Sequence, residues 1–157
     1  MYKILFAVII IATALSGCSK DLPDVGGTSA EKIANEWWVS LKHGNDDLIG
    51  HPVKLATYNT SANSDSIWVD DLENGWQFKV KAKANYDSLT FNTTSSKNTV
   101  YNITVKIMGG KVIPGAGRSK TGNVTDSIYM QVEFSDDPGE IYTIAGHART
   151  KFDEDEY

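Results

Sequence analysis

The stretch Trp76-Gln77-Phe78-Lys79-Val80-Lys81-Ala82-Lys83 alternates strictly between apolar and polar side chains. Successive side chains of a β-strand point to opposite faces, so this alternation predicts a strand with one buried and one solvated face. Two later stretches, residues 101–107 and 128–134, repeat the pattern with apolar residues at every second position. Together they predict an antiparallel sheet with its core on one side.

Weaker strand patterns occupy much of the remaining chain, separated by clusters of Gly, Asn, Asp and Ser that favour turns. They cover residues 38–42, 53–59, 66–70, 88–92 and 141–150. Only residues 30–37, with Ser29 as an N-cap, suggest a helical turn or two. About eight consecutive strands with short connections must hide their edges, which predicts an all-β, antiparallel up-and-down β-barrel. A two-sheet β-sandwich satisfies the same strand count and stays open as the alternative.

The composition describes one globular domain with an acidic balance. The chain has 157 residues, of which 41% are hydrophobic, and 20 Asp+Glu against 15 Lys+Arg give a formal net charge of -5. A nucleic-acid partner is not expected, because phosphate contacts need a clustered surplus of Lys and Arg. The single cysteine excludes an internal disulfide, and no spacing of His, Cys, Asp or Glu suggests a metal site. We predict no metal and no cofactor.

The first residues carry the pattern of an exported lipoprotein. Lys3 precedes an apolar run of 12 residues that ends at Leu15, which is shorter than the roughly 20 residues that a membrane-spanning helix needs. The run continues into Leu15-Ser16-Gly17-Cys18, which resembles the bacterial lipobox. In a lipobox the chain is cut before the cysteine, and the cysteine carries acyl chains such as palmitate. We therefore expect lipidation at Cys18.

This reading divides the chain into four parts. Residues 1–17 would be a signal peptide, and residues 18–29, rich in Gly, Pro, Ser and Asp, would be a flexible lipidated tether. The β-barrel domain would occupy residues 30–152, and residues 153–157 would form a frayed acidic tail. Two or three acyl chains make a stable membrane anchor. The predicted location is the cell envelope, at the outer membrane, with the periplasmic or surface-facing side left open.

Three motifs add to this pattern: Glu36-Trp37-Trp38-Val39, Asn74-Gly75-Trp76, and Ile144-Ala145-Gly146-His147-Ala148-Arg149-Thr150 before the acidic tail. With the lipobox and the tether, they resemble the bacterial lipoproteins classified as lipid-binding putative hydrolases. The resemblance implies a calycin-like β-barrel with an apolar ligand. The hydrolase part of the label has no match in the sequence, because the chain has no Gly-x-Ser-x-Gly elbow for a serine nucleophile. No catalytic residue is assigned.

Apolar side chains of the strongest strands, and one histidine of the last strand, are the candidate ligand-binding residues of a hollow barrel. They are Trp76, Phe78, Val80, Tyr101, Ile103, Val105, Ile128, Met130, Val132, Phe134 and His147. The partner would be a lipid or another apolar small molecule, with the membrane as a second partner through the anchor. The alternative function is a surface module that binds a glycan or an envelope protein. For that function Trp68, Tyr129 and Tyr142 are predicted to face outward.

Several further segments are predicted to be loops or turns without a catalytic or binding role. The glycine-rich residues 109–122 predict a long mobile hairpin connection, able to act as a lid. They fail the phosphate-binding loop pattern, because Ser119 stands before Lys120 where glycine is required. The acidic pairs Asp70-Asp71 and Asp136-Asp137 suit turns better than a calcium site. His43 and His51 are predicted to be exposed in loops.

The tripeptide Asp-Ser-aliphatic precedes three strands and resembles an acceptor sequence for bacterial O-glycosylation. The candidate acceptors are Ser66, Ser88 and Ser127. Turn chemistry accounts for the same repeats, since Asp and Ser side chains bond to nearby backbone groups. Both interpretations stay open at this point.

Overall fold

The computed structural model describes residues 27–157, which form one antiparallel sheet closed into a barrel. The strands are β1 (Asn35–His43), β2 (Asp46–Asp47), β3 (Val53–Asn59), β4 (Ser66–Asp70), β5 (Lys79–Asn85), β6 (Thr90–Lys97), β7 (Thr104–Arg118), β8 (Val124–Phe134) and β9 (Tyr142–Ala148). Their order is β2-β1-β3-β4-β5-β6-β7-β8-β9, and a β1–β9 pairing closes the sheet. The predicted up-and-down barrel of eight strands, with β2 as a short addition, is confirmed. The sandwich alternative is wrong.

The barrel is closed by pairing between β1 and β9, the first and last long strands. The β1–β9 register runs from Trp37 opposite Ala148 to His43 opposite Tyr142. Gly146 lies in this seam, where a Cβ atom would overlap the carbonyl oxygen of Trp38. All strand pairings lie between Asn35 and Ala148, so a chain that begins after Cys18 contains every contact of the barrel wall.

Strand β5 begins three residues later than its pattern predicts. The alternation starts at Trp76, but the strand starts at Lys79. The reason is the side chain of Asp71, whose carboxylate accepts the backbone N–H groups of Gln77 and Phe78. These donors are therefore not available to a neighbouring strand, and Trp76 belongs to a loop.

The glycine-rich stretch 109–122 is mostly strand, so the prediction of a long mobile loop and lid is wrong. Strand β7 extends to Arg118 and pairs with β8 as far as Val124. Two irregularities of register, after Met108 and after Ile113, bend the hairpin. The glycines serve this close packing, because a Cβ at Gly110 would overlap the carbonyl oxygen of Phe91.

The two ends of the barrel differ in what covers them. The meander places the N-terminal residues 27–34 and the C-terminal residues 149–157 at one end, here called the terminal end. Ala30 and Ile33 are fully buried there, in one helical turn in which the Ala34 N–H donates to the Ala30 carbonyl. The predicted helical turn or two over residues 30–37 is cut short because β1 begins at Asn35. The other end, here called the loop end, carries four connections between strands. These are residues 44–52, 71–78, 98–103 and 135–141.

The acidic tail is packed against the barrel rather than frayed as predicted. It contains a short 3-10 helix, Asp153–Asp155, and the Asp155 side chain is almost fully buried. The Asp155 carboxylate accepts hydrogen bonds from the Thr121 backbone and hydroxyl and from the Thr150 hydroxyl. Tyr157 lies edge-on to Trp38 with ring centroids 5.2 Å apart.

Candidate ligand-binding site

Most of the predicted pocket residues are buried inside the barrel. Seven of the candidates have side chains that are at most 1% exposed, and Ile103 is 8% exposed. The seven are Phe78, Val80, Val105, Ile128, Met130, Val132 and Phe134. An eight-stranded barrel is just wide enough for its side chains to fill the interior. The barrel is filled in this way, and ligand binding by these residues stays a prediction.

One small void lies inside the loop end of the barrel. Its volume is about 10 Å³, which is close to the minimum for a single water molecule. The wall is almost entirely apolar, formed mainly by Val39, Leu41, Val53, Leu55, Phe78 and Ile144. Trp76 and Gly75 close it toward the end of the barrel. The void is apolar enough for an acyl chain but much too small for one.

Trp76 is the side chain that separates this void from the outside. Its indole is stacked on Phe134, with ring centroids 4.6 Å apart and an interplanar angle of 4°. Its ring centroid lies 4.8 Å from that of Tyr142. Outside Trp76 a groove of about 420 Å³ opens, lined by Gly75, Trp76, Gln77, Tyr101 and Asp136. Trp76 is therefore placed as a lid between an apolar void and an open groove.

Asp136 connects the aromatic side chains of the groove. Its carboxylate accepts a hydrogen bond from the Tyr101 hydroxyl at 2.8 Å and a longer one from Trp76 Nε1 at 3.4 Å. Burial, followed by the bond to Asp136, raises the pKa of Tyr101 to about 12. The bond to Asp137 and burial likewise raise the pKa of Tyr142 to about 12. Both phenols are therefore neutral hydrogen-bond donors at neutral pH.

The loop that carries Trp76 is organised by one carboxylate. Asp71 is only 4% exposed. Its Oδ1 accepts the backbone N–H groups of Glu73 at 3.0 Å and Phe78 at 2.9 Å, and its Oδ2 those of Gly75 at 3.3 Å and Gln77 at 2.8 Å. Burial raises the pKa of Asp71, although these four N–H groups oppose the shift. From the sequence, Asp71 is predicted only to lie in a turn, because its four partners come together only in the folded loop.

The same loop departs from ordinary backbone geometry. Leu72, Glu73 and Gln77 all have positive φ angles, of 53°, 61° and 59°. Residues with a Cβ adopt this left-handed conformation at a cost of about 1–2 kcal/mol each. The loop is held in place by Asp71 rather than by strand pairing, so we expect it to rearrange more readily than the wall.

Within residues 27–157 no histidine is hydrogen-bonded to a Ser, Thr or Cys side chain. His43, predicted in a loop, lies at the end of β1 and contacts Glu140 through Nε2 at 2.7 Å. His147, predicted as a ligand-binding residue, lies on the outer face, because Tyr142 and Ile144 of the same strand face inward. Its Nε2 lies 3.3 Å from the Tyr157 hydroxyl. Within residues 27–157 no three His, Cys, Asp or Glu side chains form a metal-binding group.

The outward aromatic patch predicted for a surface module is incomplete. Tyr142 is 5% exposed and faces the interior under Trp76, so its predicted outward position is wrong. Trp68 does face outward, but the ammonium groups of Lys79 and Lys81 lie over its ring at 5.5 and 5.0 Å. Tyr129 is covered in the same way by Lys111 at 5.4 Å. A glycan or protein partner on this wall stays a prediction.

The three candidate acceptor serines lie toward the terminal end of the barrel. Ser88 is exposed in the β5–β6 connection, whereas Ser66 in β4 and Ser127 in β8 are half-buried. Modification of these serines stays a prediction.

Cys18, the signal peptide over residues 1–17 and most of the tether lie outside the described residues. In the part of the chain that is described, residues 27–157, no helix is long and apolar enough to cross a membrane. The lipid anchor therefore stays a prediction from the sequence.

Comparison with known proteins agrees with the family resemblance of the sequence. No curated protein matches the chain. The family described as lipid-binding putative hydrolase matches residues 22–153, which include the whole barrel and the beginning of the tail. The chain therefore belongs to the family of lipid-binding putative hydrolases.

Proposed function

We propose that this protein is a lipid-anchored envelope protein of the outer membrane that binds a lipid or similar apolar molecule at the loop end of its barrel. The observation that carries the proposal is the position of Trp76 between an apolar void and a groove of about 420 Å³. An apolar chain would enter where the indole leaves. No covalent step is needed for this function.

The energy needed to move the lid is moderate. Trp76 makes two aromatic contacts, with Phe134 and Tyr142, and such pairs contribute about 0.5–1.5 kcal/mol each beyond their burial. An acyl chain that replaces the indole would bury apolar area on the same walls, at about 25 cal/mol per Å². The exchange is therefore favourable for a ligand that covers more apolar area than the indole did.

Binding can be tested with residues 19–157 and a neutral naphthylamine fluorophore, which becomes bright in apolar surroundings. The unchanged chain should bind it with saturation. Trp76→Ala should bind it about tenfold more tightly, because roughly 1.4 kcal/mol of lid displacement is no longer required. Trp68→Ala, on the outer wall, is the matched control and should leave the affinity unchanged.

Two results would overturn the proposal. One is the absence of saturable binding by the unchanged chain. The other is equal affinity of the unchanged chain and Trp76→Ala. If Trp76→Ala fails to fold, Trp76→Leu serves the same comparison, because leucine lacks the aromatic contacts with Phe134 and Tyr142 that hold the lid closed.

The anchor is tested separately in cells that express the full chain. Cys18→Ser should lose the acyl mass on the N-terminal peptide and should move from the membrane fraction to the soluble fraction. An unchanged chain without that mass would contradict the lipidation.

A further inference from the structure

We infer that the loop end of the barrel is a docking surface for lipid bilayers whose headgroups carry no net negative charge. This inference rests on the proposed function, because the surface surrounds the groove through which the ligand would enter. The bilayer would be the source of the ligand.

The first observation is the distribution of exposed apolar side chains. Leu48, Leu72, Val100 and Tyr101 are 47%, 40%, 39% and 38% exposed. All four lie on connections of the loop end, and we call them the apolar crown. Exposing apolar side chains to water is unfavourable, and exposed apolar residues that lie together on a surface often mark a contact surface.

The second observation is that the crown is continuous with the lid. Tyr101 is bonded to Asp136, and Trp76 Nε1 points at the same carboxylate, so three of the four connections meet at one residue. A Cβ at Gly75 would come within 3.9 Å of the Ile49 side chain, which brings the fourth connection, the one that carries Leu48, beside the lid. A bilayer seated on the crown would face the groove directly.

The third observation is charge, which selects the kind of bilayer. The four connections contain no Lys or Arg. They contain seven carboxylates: Asp46, Asp47, Asp71, Glu73, Asp136, Asp137 and Glu140. Anionic headgroups would be repelled over roughly a Debye length, about 10 Å at 0.1 M salt. Headgroups that present an ammonium group would instead be attracted, which favours a zwitterionic surface over an anionic one.

The experiment measures sedimentation of residues 19–157 with vesicles of phosphatidylcholine and phosphatidylethanolamine. A triple variant, Leu48→Ser, Leu72→Asn and Val100→Thr, removes apolar area from the crown. Asparagine suits the positive φ of Leu72, because its short polar side chain tolerates this conformation. The matched control carries Ile113→Thr, Val124→Ser and Phe152→Ser, which are 41%, 65% and 60% exposed and lie away from the loop end.

We expect the crown variant to bind these vesicles at least tenfold more weakly than the unchanged chain, and the control to bind as the unchanged chain does. Replacing about one lipid in three by phosphatidylglycerol should weaken binding several-fold at low salt, and added salt should restore part of it. Equal binding by crown variant and unchanged chain would overturn the inference. So would an equal loss in the control, or tighter binding to the anionic vesicles.

The naphthylamine titration separates this inference from the proposed function. The crown variant should bind the dissolved fluorophore as tightly as the unchanged chain, because its lid and void are intact. Failure of the unchanged chain to bind the fluorophore refutes ligand binding, whereas failure to sediment with vesicles refutes docking. A protein partner for the crown, rather than a bilayer, would give fluorophore binding with no sedimentation, and that result also overturns the inference.

Discussion

Asp71→Asn is the substitution from which we expect the clearest effect on the loop end. The Asp71 carboxylate accepts four backbone N–H groups, two on each oxygen. An amide keeps one acceptor oxygen and turns an NH₂ group toward the other two donors. Two charge-assisted bonds are lost, each contributing roughly 1.5 kcal/mol, so the free energy of unfolding should fall by about 3 kcal/mol. For a domain of this size, that lowers Tm by roughly 10 °C.

The measurement is thermal and urea unfolding of residues 19–157 by circular dichroism at neutral pH. Glu73→Gln is the matched control, because Glu73 is exposed in the same loop and contributes only its backbone N–H to Asp71. The near-ultraviolet signal should also weaken in Asp71→Asn, since the loop no longer holds Trp76 against Phe134. A loss of less than about 0.5 kcal/mol, the usual range of surface substitutions, would refute the assignment of Asp71 as the organiser of this loop.

Three further predictions concern the rest of the chain. Hydrogen bonds, from Thr121 first, hold the pKa of Asp155 well below its ordinary value of 3.8. The difference in free energy of unfolding between the unchanged chain and Asp155→Asn, measured by urea titration, should therefore be constant above the ordinary pKa of 3.8. It should shrink as the pH falls below that value. A constant difference down to strongly acidic pH would contradict this. Gly146→Ala should destabilise the barrel by about 3 kcal/mol, since a clash with the backbone lies at the upper end of overpacking costs. Ala145→Ser, on the same strand, is the control in the same unfolding assay. Similar Tm values for the two variants would contradict the prediction. A peptide mass map of native protein should show glycan mass first on Ser88, which is exposed, and unmodified peptides at all three acceptor serines would end that hypothesis.

The barrel could be predicted because its signals are local. Residues 53–59 and 66–70 lie between turn-forming clusters, and strands β3 and β4 have these same bounds. A period of two and the length of the connections were enough to choose an antiparallel meander. No long-range contact had to be known.

Several errors came from contacts between residues distant in the sequence or from the choice of face, and the late start of β5 came from one side chain, Asp71, a few positions away. The tail was predicted to fray because it is acidic, but Asp155 finds Thr121, which lies 34 positions away. The face of β9 was assigned with His147 in the ligand site and Tyr142 outside, because small and polar residues on both faces weaken the alternation. The glycines of residues 109–122 suggested flexibility, although at Gly110 they allow a close approach to Phe91.

A filled and a hollow barrel have the same alternation of apolar and polar residues, so the sequence does not predict whether side chains fill the interior. It depends on the summed volumes of side chains from all the strands. Large residues such as Phe78, Phe134 and Met130 fill the interior with no exposure above 1%. A void of about 10 Å³ is left under Trp76, and no single strand predicts its position at one end of the barrel.

The position of the chain termini gives the last prediction, on the assumption that Cys18 is lipidated. Gly27 lies at the terminal end, opposite the crown, and eight residues lie between it and Cys18. If these residues form the flexible tether that the sequence predicts, their mean span is roughly 16 Å. Strand β1, with its nine residues, spans about 20–25 Å of barrel height when tilted. The crown should therefore face away from the membrane that holds the anchor.

Vesicles that carry the lipidated protein should then attach to a second population of zwitterionic vesicles, which energy transfer between differently labelled lipids would detect. The triple crown variant, equally lipidated, should not produce this attachment, because its docking surface is lost while its anchor is unchanged. Lengthening the tether by about ten Gly and Ser residues should reduce the attachment, since the loop end could then turn back to its own membrane. Attachment that is unaffected by the crown substitutions would show that another surface reaches the second membrane.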